Sequence, residues 1–422
     1  MRLGVIADDF TGGTDIASFL VKEGMSTVQL IGIPKEGDLP LAADAVVISL
    51  KSRSCPKEEA ISDSLAAARF LKKHDCKVFF FKYCSTFDST EEGNIGPVTE
   101  ALMEELGVNF AVFSPALPVN GREVFNGYLF VKGIPLHESP MKNHPVNPMH
   151  DSNLMRLVER QSTLRCGLVP EHVVKAGPKA IIDAISRLKK EGFTGAVVDA
   201  IDAEDLYSQG EAFKDAIFVT GGSGLGMGMA RALLTKVCDV AKAQSRGKPN
   251  EGRTIVLSGS CSAMTNAQVA RYKEEGAPTF AVDIENCAIS DAATDAYATT
   301  VAQWAVAQEG EKAPLIYATA NPEALARIQK AHGAKASSTA IESFFYKLSA
   351  KLKKEGFKKF IVAGGETSGQ VTQALGVTGF YIGPNIAPGV PWVKAINEDI
   401  SLALKSGNFG EIDFFTQAQG KF

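Results

Sequence analysis

Short, uninterrupted apolar runs recur along this chain and alternate with amphipathic stretches. LGVIA (3–7), AVVISL (45–50), VFFF (78–81) and FAVFS (110–114) come first. None shows the apolar–polar alternation of a sheet with one wet face. Strands that are apolar on both sides are covered on both sides, which predicts a mostly parallel sheet flanked by helices. Helix-period stretches at 57–73 and 96–106 lie between the runs, so the expected repeating unit is strand, helix, strand. The rhythm breaks once, at REVFNGYLFV (122–131), where Asn126 and Gly127 between two apolar runs predict a tight hairpin. It resumes with AVVDA (196–200) and IFVTGG (217–222).

A second series follows: TIVLSG (254–259), FAVDI (280–284), LIYATA (315–320) and KFIVAGG (359–365). Between the series lies AQSRGKPNEGR (243–253), polar and containing Gly and Pro. With 422 residues and about 150 per domain, two α/β domains are expected, at 1–245 and 252–422, with a ligand cleft between them. The net charge of -4 gives no reason to expect a nucleic-acid partner. No run approaches the ~18 apolar residues of a membrane span. The N-terminal run ends at two aspartates, too soon for a signal peptide, and reads as the first strand. Seven scattered cysteines without CxxC spacing fit reduced thiols in a cytoplasmic protein. The six histidines form no HxxxH pair, so no structural zinc site is expected.

Four sets of segments carry candidate chemistry. ADDFTGG (7–13) closes the first strand, where open α/β sheets bind ligands. Adjacent Asp8 and Asp9 repel each other and need a sugar hydroxyl, a metal ion or a basic side chain between them. Either could take a proton from an attacking hydroxyl, with Thr11 and Gly12 beside them. The plainer alternative is a helix cap at Asp9 or Thr11. KSRS (51–54) and KYCSTFDST (82–90) end the next strands. Arg53 could grip a substrate carboxylate in a bidentate fork, with charge from Lys51 and Lys82 and polar contacts from Ser85, Thr86 and Asp88. Solvated loop charges are the alternative.

GGSGLGMG (221–228) follows a strand and opens a helix, as an anion cradle would. It misses the dinucleotide fingerprint at Met227 and lacks a GK[ST] phosphate loop, so tight helix packing is an equal reading. In the C-terminal series, GGETSG (364–369) offers backbone amides from Gly364 and Gly365 and hydroxyl donors from Thr367 and Ser368 at a helix start. SGSCS (258–262), led by Ser258, and KSGNFG (405–410), through Gly407, supply two further Gly/Ser turns.

Taken together, LGVIADDFTGGTDIASFL (3–20), KSRS, FKYCSTFDST (81–90), SPALPVNGR (114–122), VTGGSGLG (219–226), VLSGSCS (256–262), AGGETSG (363–369) and LALKSGNFG (402–410) resemble the four-carbon acid sugar kinase family over nearly the whole chain. The resemblance implies a sugar-acid domain followed by an ATP domain, with Mg²⁺ on the phosphates. It implies phosphorylation of the terminal 4-hydroxyl of 3-oxo-tetronate (3-dehydro-erythronate). By the same likeness, Ser258, Gly364, Gly365, Glu366, Thr367 and Gly407 serve ATP, and the DDFTG, KSRS and KYCSTFDST segments serve the sugar acid. Threonate and erythronate kinases share these motifs, so they fix the reaction better than the acid. Other classes kept in view are a nicotinamide-dependent dehydrogenase using 219–228, a sugar-acid sensor without catalysis, and an aspartyl phosphatase. Neither the identity of a bound metal nor assembly into a homo-oligomer follows from the sequence.

Overall fold

The computed structural model describes residues 1–34, 43–144, 147–234, 239–288, 290–320, 323, 330 and 333–420. Two compact units divide the chain, Met1–Ala243 and Gln244–Phe422. In the first, eight strands form one parallel sheet: β1 (Leu3–Ala7), β2 (Thr27–Ile31), β3 (Ala45–Ser49), β4 (Val78–Lys82), β5 (Ala111–Ser114), β9 (Cys166–Val169), β10 (Gly195–Val198) and β11 (Phe218–Gly221), in the order β2-β3-β1-β4-β11-β5-β10-β9. The apolar runs predicted as strands are these strands, and every residue of β1, β3 and β4 is buried, as two covered faces require. β2 and β9 were not anticipated. In β2, Thr27 and Gln29 interrupt the apolar run; both are buried, and the Gln29 carboxamide donates to Ser49 Oγ and Phe10 O.

The predicted hairpin is β6 (Arg122–Phe125) and β7 (Tyr128–Val131), continued by β8 (Ile134–Pro135) as a small antiparallel sheet. Asn126 and Gly127 both take positive φ, 51° and 76°, as a type I′ turn demands. The turn is fastened by a buried carboxylate at the end of β10. Asp199 accepts from the backbone N–H groups of Asn126 (2.6 Å), Gly127 (2.9 Å) and Glu171 (3.1 Å). Burial outweighs these donors and pushes the Asp199 carboxyl up to about 6.

Helices α1 (Phe10–Lys22), α2 (Lys57–Lys73), α3 (Ile95–Leu106), α4 (Leu154–Gln161), α5 (Glu171–Lys175), α6 (Pro178–Lys190), α7 (Ala203–Phe213) and α8 (Ser223–Leu233) connect these strands. The glycine run 221–228 is explained by close packing. A Cβ on Gly228 would stand 2.0 Å from Leu206 O, one on Gly224 2.2 Å from Ala116 O, and one on Gly226 2.7 Å from Ile16. Small residues there let α8 lie directly against α7 and α1.

In the second unit, β12 (Arg253–Ser258), β13 (Thr279–Ala281), β14 (Leu315–Tyr317), β15 (Phe357–Ala363), β16 (Gly379–Ala387), β17 (Val390–Ala395) and β18 (Ser401–Lys405) run in the order β13-β14-β12-β15-β18-β17-β16. Pairing is parallel through β18 and antiparallel beyond it. The last three strands were not anticipated; Gly383, Pro384 and Asn385 break the β16 run, and Pro391 sits within β17. Helices α9 (Val240–Ser245), α10 (Ala263–Glu274), α11 (Ile284–Ala288), α12 (Asp291–Val306), α13 (Ala334–Lys354), α14 (Gly365–Ala374) and α15 (Phe414–Gln417) complete the chain, α9 bridging the division. Trp392 anchors the core of this unit, with its ring nitrogen donating to Ala418 O at 3.1 Å. No helix among the described residues is long and apolar enough to cross a membrane.

Candidate active site

Three neighbouring strands of the first unit end at the same level. Ala7 of β1 pairs with Ser49 of β3 and Lys82 of β4, so the segments after them share one sheet edge. Asp8, Asp9, Arg53, Lys82 and Asp88 are drawn together there. The Arg53 side chain bonds Asp8 through Nε and Nη2, both at 2.9 Å, and Asp9 through Nη2 at 2.7 Å. Its Nη1 stands 3.7 Å from Asp88. This departs from the expectation that the fork of Arg53 grips a substrate carboxylate: Asp8 occupies it. Burial opposes the guanidinium charge, yet Asp8 and Asp9 more than offset this and hold Arg53 firmly protonated.

The three carboxylates are not equivalent. Asp8 is buried under the arginine. Asp9 caps α1, accepting from Gly12 N–H at 2.9 Å, and keeps 30% of its side chain exposed. A Cβ on Gly12 would stand 2.4 Å from that same Asp9 oxygen, so glycine is required for the cap. Thus Asp9 caps α1, as the plainer alternative had it, and still keeps part of its carboxylate open. Burial, then the Asp8 charge, raise the Asp9 carboxyl above the ordinary range, against Arg53 and Lys82. Asp88 is buried, and its Oδ1 has no hydrogen-bond donor among the described residues. His144 Nδ1 lies 3.9 Å from it, beyond hydrogen-bond range. An orphaned buried carboxylate oxygen calls for a donor from outside.

Lys82 is buried too, donating to Tyr83 O at 2.9 Å and lying near Gly12. Asp15, three residues beyond Gly12 on α1, accepts from Ser223 Oγ at 2.5 Å; burial raises its carboxyl, with Lys82 opposing. The loop bearing Arg53 is fixed by one side chain, since Asn94 Nδ2 donates to the carbonyls of Ser52 (2.8 Å) and Cys55 (3.0 Å). Phe87, buried with φ of 49°, forces the bend that brings Asp88 back toward Arg53. Asp15 and Asn94 escaped sequence reasoning, since Asp15 lies inside α1 and Asn94 stands just before α3, past the end of KYCSTFDST. Of the remaining predicted residues, Thr86 is buried against Cys84 Sγ (3.0 Å) and Ser85 is half-buried, while Thr11 and Lys51 are exposed.

The second unit repeats the arrangement. Ser258 of β12 pairs with Tyr317 of β14 and Ala363 of β15, and Ala363 with Lys405 of β18, so four strand ends adjoin. Beyond them lies a cavity of about 490 Å³. Its lining combines apolar Val282, Ile284, Ala318 and Ile341 with polar Ser260, Ser337, Ser338, Glu342, Glu366 and Thr367 and with Gly364 and Gly365. Gly364 has φ of 127°, closed to other residues, and starts α14 without a side-chain cap. A Cβ on Gly365 would meet nothing within 4 Å. Gly407 approaches this wall, since a Cβ there would lie 2.6 Å from Ser260 Oγ. Ser258 does not line the cavity; it is fully buried, with its hydroxyl 2.6 Å from Thr319 Oγ1. A partly apolar cavity bordered by a helix start without a side-chain cap has the chemistry to take a base and phosphates.

Residues 3–229 match the family model of a sugar-binding N-terminal domain, and residues 255–415 that of a nucleotide-binding C-terminal domain. A 3-oxo-tetronate kinase of Brucella melitensis is 56% identical over 421 residues, covering 99% of this chain and 95% of that protein. The 3-oxo-tetronate kinase of Salmonella typhimurium is 56% identical over 422 residues, covering 100% and 99%. A Salmonella typhimurium LT2 crystal structure, given the working description of a tRNA synthase, aligns with a TM-score of 0.94 at 56% identity, covering 99% of this chain and 98% of that one.

Proposed function

The chain belongs to the four-carbon acid sugar kinase family, and from that premise we propose that it transfers the γ-phosphoryl group of ATP to the terminal 4-hydroxyl of 3-oxo-tetronate, giving 3-oxo-tetronate 4-phosphate and ADP. The observation that carries this reading is 56% identity along essentially the full length of relatives named 3-oxo-tetronate kinase. The work is divided between the units: sugar acid at the charged cluster of the first, ATP in the cavity of the second. A tRNA substrate has little support from a chain with net charge -4.

Phosphoryl transfer depends mostly on positioning and charge neutralisation. Asp9, partly exposed and with raised proton affinity, takes the hydroxyl proton. Asp88 Oδ1 accepts from a second substrate hydroxyl, which satisfies its missing partner. Arg53 orders the three carboxylates, its fork being taken by Asp8, and Lys82 adds the second cation; exposed Lys51 is left to meet the substrate carboxylate. Gly364, Gly365, Thr367 and the 407 turn hold the phosphates, with Ser258 supporting that wall from behind. Among the described residues no group of three or more His, Cys, Asp or Glu is placed to hold a metal. Mg²⁺ would arrive on ATP and neutralise phosphate charge, with Glu342 and exposed Glu366 as carboxylates on the cavity lining. The six described cysteines are free thiols, which supports a cytoplasmic setting.

The test is an ATP-coupled assay against 3-oxo-tetronate, threonate and erythronate in each stereochemistry. Preferential turnover of a 3-oxo acid is expected, and turnover confined to threonate or erythronate would replace the substrate while keeping the reaction. Asp9→Asn should lower kcat at least 100-fold with ATP affinity unchanged; undiminished turnover would remove Asp9 as the base.

A further inference from the structure

Lys405, the last residue of β18, is fully buried. Its ammonium donates to Thr265 Oγ1 (3.0 Å), Ser406 O (3.1 Å) and Gly407 O (2.9 Å). All three acceptors are neutral. Lys359 on β15, Lys394 on β17 and Glu366 on α14 sit on the elements packed around it, and none forms an ion pair with it; Thr265 is what α10 presents. A buried cation with no counter-ion is costly, and burial lowers the Lys405 ammonium to about 8. Such a group is retained where something brings the missing negative charge.

The turn beyond it shows where that charge would sit. In a planar trans peptide the C=O and N–H point in opposite directions, and the chain has no cis bond among the described residues. With the Ser406 and Gly407 carbonyls drawn inward to the ammonium, the N–H groups of Gly407 and Asn408 face the other way. Neither has an acceptor among the described residues, whereas Phe409 N–H closes the turn onto Ser406 O at 3.2 Å. The Gly407 Cα faces Ser260 Oγ, which lines the cavity. Two successive unfilled amides with a cation behind them form an anion nest.

We propose that Lys405 is a positioning residue for the nucleotide: its buried ammonium turns the Ser406 and Gly407 carbonyls inward, presents the Gly407 and Asn408 amides to the terminal phosphates, and gains in those phosphates its counter-ion. The proposal rests on the C-terminal cavity being the ATP site. The experiment is titration calorimetry on the full chain at pH 8.5 with ATP and with adenosine, each in two buffers of different ionisation enthalpy. ATP should bind with uptake of a fraction of a proton, because phosphate drives the ammonium back to its charged form; adenosine should bind with none. Lys405→Met should weaken ATP at least tenfold and adenosine less than twofold, and Lys405→Arg should recover part of the loss. Equal weakening of ATP and adenosine would mean a merely structural lysine. ATP binding to the wild type without proton uptake would overturn the proposal even if the variants fail to fold. A wild type that binds no nucleotide would instead sink the assignment of the cavity.

Discussion

Replacing Arg53 by Met should cost the N-terminal unit far more than one surface charge would. The side chain is 20% exposed and makes three hydrogen bonds, at 2.9, 2.9 and 2.7 Å, to two carboxylates, while a third lies at 3.7 Å. Asp8 and Asp88 keep only 6% and 8% of their side-chain surface, so water cannot replace the guanidinium. Removing one partner of a buried pair costs about 3–5 kcal/mol. For a unit of this size about 1 kcal/mol moves Tm by roughly 2–4 °C, so a fall of roughly 6–20 °C is expected. The loss should depend on pH in a definite direction. Asp9 already has a raised carboxyl pKa from burial and Asp8, against Arg53. Without Arg53 it rises further, and a carboxyl raised above its unfolded value destabilises the fold above its folded pKa. The deficit should therefore be greater at pH 8 than at pH 5, and Asp8→Asn added to Arg53→Met should recover part of it. Calorimetric melting across pH measures both effects, with ATP affinity as the control. A loss under about 1 kcal/mol, or one that grows as pH falls, would refute the view of Arg53 as the counter-ion of buried carboxylates.

Other expectations are as direct. Gly365→Val places its side chain in open space on the cavity wall; Tm should stay constant while ATP affinity drops at least tenfold, about 1.4 kcal/mol, and unimpaired ATP binding would move the site elsewhere. Gly228→Ala, with its Cβ 2.0 Å from Leu206 O, should lose about 1–3 kcal/mol of stability by overpacking and leave ligand affinities alone; lost affinity at constant Tm would revive the anion-cradle reading. Asp199, raised to about 6 from the 3.8 of a free carboxyl, makes the fold less stable as pH rises through that window, by about 3 kcal/mol. Urea unfolding of Asp199→Asn should show that slope diminished, and a slope identical to wild type would assign it to other groups.

The sequence was most informative where one interaction dominates. Continuous apolar runs marked β1, β3 and β4 because both of their faces are buried, and Asn126 with Gly127 marked the hairpin because few other residues accept that turn. It was least informative where partners come from far along the chain. Gln29 looks unfit for a core strand until Thr14, Ser49 and Phe10 O are seen to satisfy it. The β16–β17 hairpin was hidden by Pro384, although Pro388 and Gly389 between Ala387 and Val390 were a usable turn signal. In the site, clustering of acidic and basic residues at strand ends was legible, but not who holds whom: Arg53 looked free for a ligand and is taken by Asp8. Lys405 carried a faint signal, a single cation ending the apolar run SLAL before a Gly-Asn turn.

The charge cluster at the end of β1 has a kinetic corollary. Within the cluster three carboxylates, Asp8, Asp9 and Asp88, face two cations, Arg53 and Lys82, so the cluster's own field does little to draw in an anion. On the proposed assignment exposed Lys51 is the cation left to steer a sugar acid, so electrostatic funnelling toward this pocket is weak. On that assignment discrimination follows arrival, when substrate hydroxyls would meet the unfilled oxygen of Asp88, and such a pocket sorts acids by how long they stay rather than by how fast they come.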